Sequence, residues 1–268
     1  MCEVSASRHD TQSTALAHMT SRHYDHAPIV EAVLDFKVVF EDEFSIARVE
    51  VAAARVSSRF PTKLPIHLGQ ISLEFKAGAG QVPRPSVSSN VQVGLRLSTE
   101  KNDRVLQMQR AGFTFSHLAP YTEWGNLRDE AKDAWKVFCE ECHPKFVTRV
   151  ATRAINRIEI PSGKIEPEDY FHLCAKIPKG IPQDVTGMFL QLQMPQSDIG
   201  AVALVNHALV DNPAPNQISF LLDLDLFRQQ TQIEPGADEL WELVEQLHER
   251  RNDLFEACIT DRTRELIK

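Results

Sequence analysis

No stretch of this sequence approaches the ~20 consecutive apolar residues that a membrane-spanning helix needs. Its opening residues, MCEVSASRHDTQSTALAHMT, also lack the apolar core of a signal peptide. The expectation is a cytoplasmic protein with no membrane partner. An excess of basic charge is missing too: 29 Lys and Arg against 37 Asp and Glu leave a formal net charge of −8. That balance disfavours a strongly electrostatic nucleic-acid binder, and only a local basic strip would reopen that class. The sequence contains no G-x-S-x-G, no P-loop, no G-x-G-x-x-G and no H-E-x-x-H, so the commonest hydrolase, NTPase, dinucleotide and zinc-protease patterns are absent. Its five cysteines are an odd number at irregular spacing, which reads as reduced thiols rather than a disulfide framework.

What is present is ordinary globular material. With 43% hydrophobic and 25% charged residues over 268 positions, the chain can build one large domain or two small ones. Residues 1–25 are polar and aperiodic and read as a mobile tail. From Val30 to Phe40 apolar residues alternate with Glu31, Asp35 and Lys37, the period of a strand with one buried face. Ser45 is a plausible N-cap for a helix running to about Phe60. Ile71–Phe75, Val91–Leu97 and Val105–Phe115 read as three more strands, with a flexible connection from Ala77 to Asn90 and a hairpin tip at Asn102-Asp103. A second helix places Ala131, Ala134, Trp135, Phe138 and Cys142 on one face and ends at His143-Pro144.

The same order then recurs. A strand at Arg149–Ile160 and a turn at Pro161-Ser162-Gly163 lead to a short helix around Glu168–Cys174. Strands at Gly187–Met194, Ala201–Val210 and Gln217–Phe227 follow. The final helix, Asp238–Ile259, carries Leu240, Val244, Leu247, Leu254 and Cys258 on one face. Phe113-Thr114-Phe115 and Ile218-Ser219-Phe220 precede the closing helix of each half, and Trp135 and Trp241 read as lying early on those helices. The expected fold is therefore α+β: two tandem β-α-β-β-β-α units with antiparallel sheets, residues 26–145 and 146–268, related by a pseudo-twofold axis. A single irregular α+β domain is the alternative.

Several residues carry potential chemistry. Asp223 and Asp225, two apart on a strand, project from one face opposite Phe220, Leu222, Leu224 and Leu226. They could hold a divalent cation if a third oxygen ligand converged, or could pair with arginines of a neighbouring strand. Arg149, Arg153 and Arg157, with Asn156, decorate the strand opening the second half as an anion site or as partners of those acids. Trp241 completes the set of candidate binding residues: Arg153, Asn156, Arg157, Asp223, Asp225 and Trp241. Cys139-Glu140-Glu141-Cys142-His143 spells C-x-x-C-H, but lacks a second pair for zinc and sits at a helix end, unlike a redox pair. The charges of the last helix and of Thr260–Arg264 read as a solvated face or an interaction surface. No catalytic residue, metal site or cofactor is assigned.

Ala27-Pro28-Ile29-Val30-Glu31-Ala32-Val33-Leu34, Arg153-Ala154-Ile155-Asn156-Arg157-Ile158, Leu221-Leu222-Asp223-Leu224-Asp225 and the closing Leu254-Phe255-Glu256 … Ile259-Thr260-Asp261 resemble a sporadically distributed family of bacterial proteins of about this length, whose activity is uncharacterised. The chain has Ala-Pro-Ile-Val-Glu where that family often has Pro-Pro-x-Val-Glu. The resemblance implies a bacterial cytosolic accessory protein, of the kind found in mobile or defence-related loci, and carries over no catalytic residues. The element order is similar to that of TATA-binding-protein-like and GyrI-like duplicated folds. The function expected is a non-catalytic binding or regulatory protein acting on a protein partner, or as a homo-oligomer, through the seam between its halves or its last helix. Alternatives are a GyrI-like small-molecule sensor, which predicts a deep cavity ringed by Glu, Tyr and Trp, and a metal-dependent enzyme using Asp223 and Asp225.

Overall fold

The computed structural model describes residues 22–73, 85–161, 163, 166–211, 214 and 216–268, with backbone alone at 69–73 and 85–90. Most of the 1–25 tail, the Ala77–Pro83 part of the connection and Ser162 lie outside the described residues. Elements follow in the order β1 (Ile29–Phe40), α1 (Ile46–Arg55), β2 (Thr62–Leu73), β3 (Pro85–Ser98), β4 (Arg104–Gln109), β5 (Gly112–Leu118), α2 (Trp124–Cys142), β6 (Pro144–Pro161), β7 (Phe189–Gln196), β8 (Ala201–Val210), β9 (Gln217–Ile233), α3 (Asp238–Cys258) and α4 (Asp261–Leu266). The strands form one nine-stranded antiparallel sheet ordered β2-β3-β4-β5-β1-β6-β9-β8-β7. The α+β class is as expected. No described helix is long and apolar enough to cross a membrane.

Alternation builds the sheet as the sequence implies. Ala32, Leu34, Phe36 and Val38 are buried on one face of β1, and Asp35 and Lys37 stand on the other. Phe36 meets Phe113 of β5, Trp135 of α2 and Trp241 of α3 at ring separations of 6.1, 5.0 and 5.7 Å, so a single aromatic side chain ties the central strand to two helices. The predicted α2 face, Ala131, Ala134, Trp135, Phe138 and Cys142, is buried throughout, and His143 closes the helix in the left-handed conformation. All three long helices pack into one large apolar cluster, which leaves the opposite sheet face without a helix among the described residues.

The expected β-α-β-β-β-α order needs correction in both halves. Val105–Phe115 is a hairpin, not one strand: it turns at Arg110-Ala111, and Gly112 follows at φ +146°, where a Cβ would lie 1.9 Å from the Phe36 carbonyl oxygen. Pro85–Asn90, read as connection, is already strand. In the second half the Glu168–Cys174 helix shrinks to a 3-10 turn at Pro167–Asp169. Phe171 instead bridges Ile259 and buries its ring against His207 and Phe220, so tertiary packing overrides a weak local period. The observed orders are β-α-β-β-β-β-α and, after the break at α2, β-β-β-β-α-α with that 3-10 turn after its first strand. Trp135 lies mid-helix, because α2 begins at Trp124.

Candidate functional site

The strand arginines and aspartates meet on the helix-free face, where they satisfy one another. Arg153 Nε and Nη2 each donate to Asp223 at 2.7 Å, a two-pronged pair in which the carboxylate is buried and the guanidinium half-exposed. Arg149 bridges Asp35 (2.8 Å) and Asp225 (3.0 Å). Asn206 donates to Asp223 at 3.0 Å, Gln191 donates to Asn206 at 2.8 Å, and Thr114 donates to Asp35 at 2.8 Å, so a polar ladder crosses β5, β1, β6, β9, β8 and β7. Arg157 donates to the Ser219 hydroxyl at 3.2 Å and to the Asp211 carbonyl at 3.3 Å. Burial raises the Asp225 carboxyl pKa even against Arg149 and Arg153. Among the described residues, no group of three His, Cys, Asp or Glu stands where it could share a metal ion.

Asn156 parts company with these arginines. Being one residue out of phase with Arg153 and Arg157, it faces the helices, is buried, and donates to the Leu222 carbonyl at 3.0 Å. Trp241 lies elsewhere again, half-buried and edge-on to Phe36 at the margin of the apolar core, with Lys132 5.6 Å from its ring centre. The six candidate residues thus divide among a ladder, a cavity wall and the core.

The cavity that Asn156 helps to line is on the helix side of the sheet. It has a volume of about 560 Å³ and is walled by Tyr24, Ala27 and Pro28 from the entering chain, Tyr121 to Trp124 before and at the start of α2, Ala154 and Asn156 of β6, Leu224 of β9, and α3 from Glu245 to Glu256. Its origin is legible in the register. Ala32 of β1 pairs with Ala154 of β6, and Thr152 and Asn156 flank Ala154 on the same face, so this part of β6 carries only small and medium side chains, with Leu224 of β9 beside Ala154 on the cavity wall. Bulk returns with Val150 on one side and Ile158 on the other, and these belong to two separate apolar clusters. The cavity occupies the seam between them.

On α3 the buried stripe runs Leu240, Val244, Leu247, Arg251, Leu254 and Cys258, a 4-3-4-3-4 spacing with an arginine where a leucine is expected. Arg251 is only 2% exposed. Its Nη2 lies 2.7 Å from His248 Nδ1 and 3.5 Å from Asn252 Oδ1, and its Nη1 has no hydrogen-bond partner among the described residues. Arginine can only donate, so Nδ1 must accept and His248 carries its proton on Nε2; Asn252 Nδ2, 3.1 Å from that nitrogen, is also a donor, so Asn252 meets this N–H only with its amide turned to present Oδ1. The imidazole lies flat on the Trp124 indole, 3.8 Å between ring centres and 1° from parallel. Burial, reinforced by Arg251 and Arg128, pushes the His248 pKa down to about 2, so the ring is neutral. Burial also lowers Arg251 to about 10, which leaves it a cation at neutral pH. Among the described residues no carboxylate forms an ion pair with it.

The walls around this pair are held in place. Trp124 Nε1 donates to Glu245 at 2.8 Å, and Arg128 pairs with Glu245 at 3.0 Å. Tyr24 donates its hydroxyl to Glu256 at 2.6 Å, and Arg264 of α4 pairs with Glu256 at 2.8 Å. Arg264 therefore works as a brace for the cavity wall rather than as part of a solvated face. Desolvation pushes Tyr24 up to about 12 and raises Tyr121 as well, so both hydroxyls stay protonated. The C-x-x-C-H cysteines lie outside this region; burial pushes both thiols up, Cys142 to about 12, far from a reactive thiolate.

No protein-family model matches the chain, and no curated protein matches its sequence.

Proposed function

We propose that this protein is a non-catalytic, small-molecule-binding regulatory protein whose ligand occupies the seam cavity. The reading is carried by one observation: a cavity of about 560 Å³, ringed by Tyr24, Tyr121, Trp124 and several glutamates, lies where the two halves of the sheet meet beneath α3. That volume falls in the range of ligand pockets, and its mixed apolar and polar wall suits recognition of an organic molecule. The mutual saturation of Arg149, Arg153, Asp35, Asp223 and Asp225 argues against the alternative in which Asp223 and Asp225 serve a catalytic metal.

The two halves are, on this reading, tandem related units about a pseudo-twofold between β1 and β6. In support, each half places its first strand innermost and its last strand next to it: outward from the centre run β1-β5-β4-β3-β2 on one side and β6-β9-β8-β7 on the other. A ligand at the seam would touch both units and so bias their relative position, the requirement for a signalling role.

Native mass spectrometry of the full chain after incubation with a host metabolite extract tests the reading. The wild type should retain a small molecule that an Ala27→Trp variant, plugged at the cavity wall, does not. Retention of nothing by the wild type would reject it.

A further inference from the structure

We infer that the seam cavity is an oxyanion site, and that its ligand is an organic monocarboxylate whose carboxylate pairs with Arg251 while its apolar body lies among Tyr121, Trp124 and Phe255. The inference rests on the ligand-binding reading above and specifies what that ligand carries. Arg251 lines the cavity, is buried, and has an Nη1 with no partner among the described residues. Its hydrogen-bond partners, the neutral His248 imidazole and Asn252 Oδ1, and the Trp124 ring 5.6 Å from its guanidinium carbon supply dipoles and no counter-charge. Arg149 and Arg153 on the ladder, and Arg128 and Arg264 behind the cavity wall, each contact a carboxylate within 3.0 Å, and Arg228, which has none, donates instead to the Ile199 carbonyl and to Gln246. Arg251 combines near-complete burial, no carboxylate partner among the described residues and a place on a cavity wall, where a ligand could supply the missing charge.

The wall chemistry selects the kind of anion. A planar guanidinium matches a planar carboxylate through two parallel hydrogen bonds. Glu245 and Glu256 are offset by Arg128 and Arg264, and Glu123 and Glu249 form no ion pair among the described residues; with Asp253 also on the wall and Arg22 the one other arginine there, the wall carries more carboxylates than cations, so a dianion meets more repulsion than a monoanion. Tyr121, Trp124 and Phe255 supply rings for an apolar body, and the fixed Trp124–His248 stack keeps that surface rigid.

The test is titration calorimetry of the full chain against matched pairs: phenylacetate and phenylacetamide, indole-3-acetate and its amide, hexanoate and hexanamide, with phenyl phosphate and inorganic phosphate as the phosphate arm. At least one carboxylate should bind ten-fold or more tightly than its amide and than either phosphate. Arg251→Met should erase that preference while raising the melting temperature of the protein in buffer, and Arg251→Lys should keep part of the preference. Absence of carboxylate binding, equal binding of acid and amide, tighter binding of a phosphate, or a lowered melting temperature in Arg251→Met would each overturn the inference. If acids and amides bind equally and Ala27→Trp blocks both, the anion assignment fails and the cavity reading stands. If the wild type binds neither class, both fail.

Discussion

Arg153 and Arg251 are the two arginines on which a functional reading of this protein turns, and they are treated oppositely. Arg153 is on the helix-free face of the sheet, with both prongs of its guanidinium on Asp223. Arg251 is under α3, sealed from solvent, beside a cavity, with a neutral histidine as its nearest polar contact. A half-exposed arginine that completes a carboxylate pair is part of the sheet's own cohesion. A buried one without a counter-charge is a cost to the fold, and such costs concentrate where a protein binds something. The difference teaches that charge count and strand position are weaker guides to a site than whether each charge is already matched.

The comparison breaks most visibly at the ladder. Arg153→Ala leaves the buried Asp223 with only Asn206, and urea unfolding should show a loss of about 3 kcal/mol, since an uncompensated buried charge is among the larger single-residue penalties. The mirror substitution at the seam has the opposite sign. Arg251→Met removes a buried cation but keeps the aliphatic stem on the apolar stripe, and the same measurement should show a gain of about 1–2 kcal/mol. A loss in both would mean that the two arginines play the same structural part.

His248 sharpens the contrast through pH. Its pKa falls from 6.5 to about 2 on folding, so the unfolded chain takes up a proton that the folded chain refuses. The stabilisation is complete above pH 6.5 and is lost as the pH falls, by up to about 1.4 kcal/mol per pH unit for this one group. Burial lowers His117 and His207 in the same direction. Urea midpoints between pH 7 and 5 should decline, and His248→Gln should flatten the slope by up to one proton. An unchanged slope would show that the seam histidine already takes up its proton when folded. The smallest effect belongs to an exposed pair: Lys63→Ala, which removes the 2.6 Å contact to Glu50, should alter stability by less than about 0.5 kcal/mol.

Much of the fold is legible in the residues. β8 begins and ends at Ala201 and Val210, as its alternation implies, and α3 ends one residue short of Ile259. The hairpin inside Val105–Phe115 was hidden because both of its arms alternate and only Gly112, forced by the approach of the Phe36 carbonyl, marks the turn. The Glu168–Cys174 segment misleads for the opposite reason: too short to nucleate a helix, it yields to the burial of Phe171. The ladder was half legible, since two acids at i and i+2 facing three arginines on one strand already suggest pairing. The seam arginine left one trace, the gap at 251 in an otherwise apolar 4-3-4-3-4 stripe, which reads as ordinary surface charge beside Arg250 and Asp253.

By itself, then, the amino-acid order determined which segments are strands and helices and which side of each faces inward, because those periods are set by neighbouring residues along the chain. Only the tertiary structure decided which charges are matched and where space remains. Asp223 meets Arg153 across 70 positions of sequence, and the cavity is walled by residues of the entering chain, α2, β6, β9 and α3 that only the fold brings together. Charge pairing and packing volume are sums over side chains brought together from distant segments, and no local period encodes such a sum.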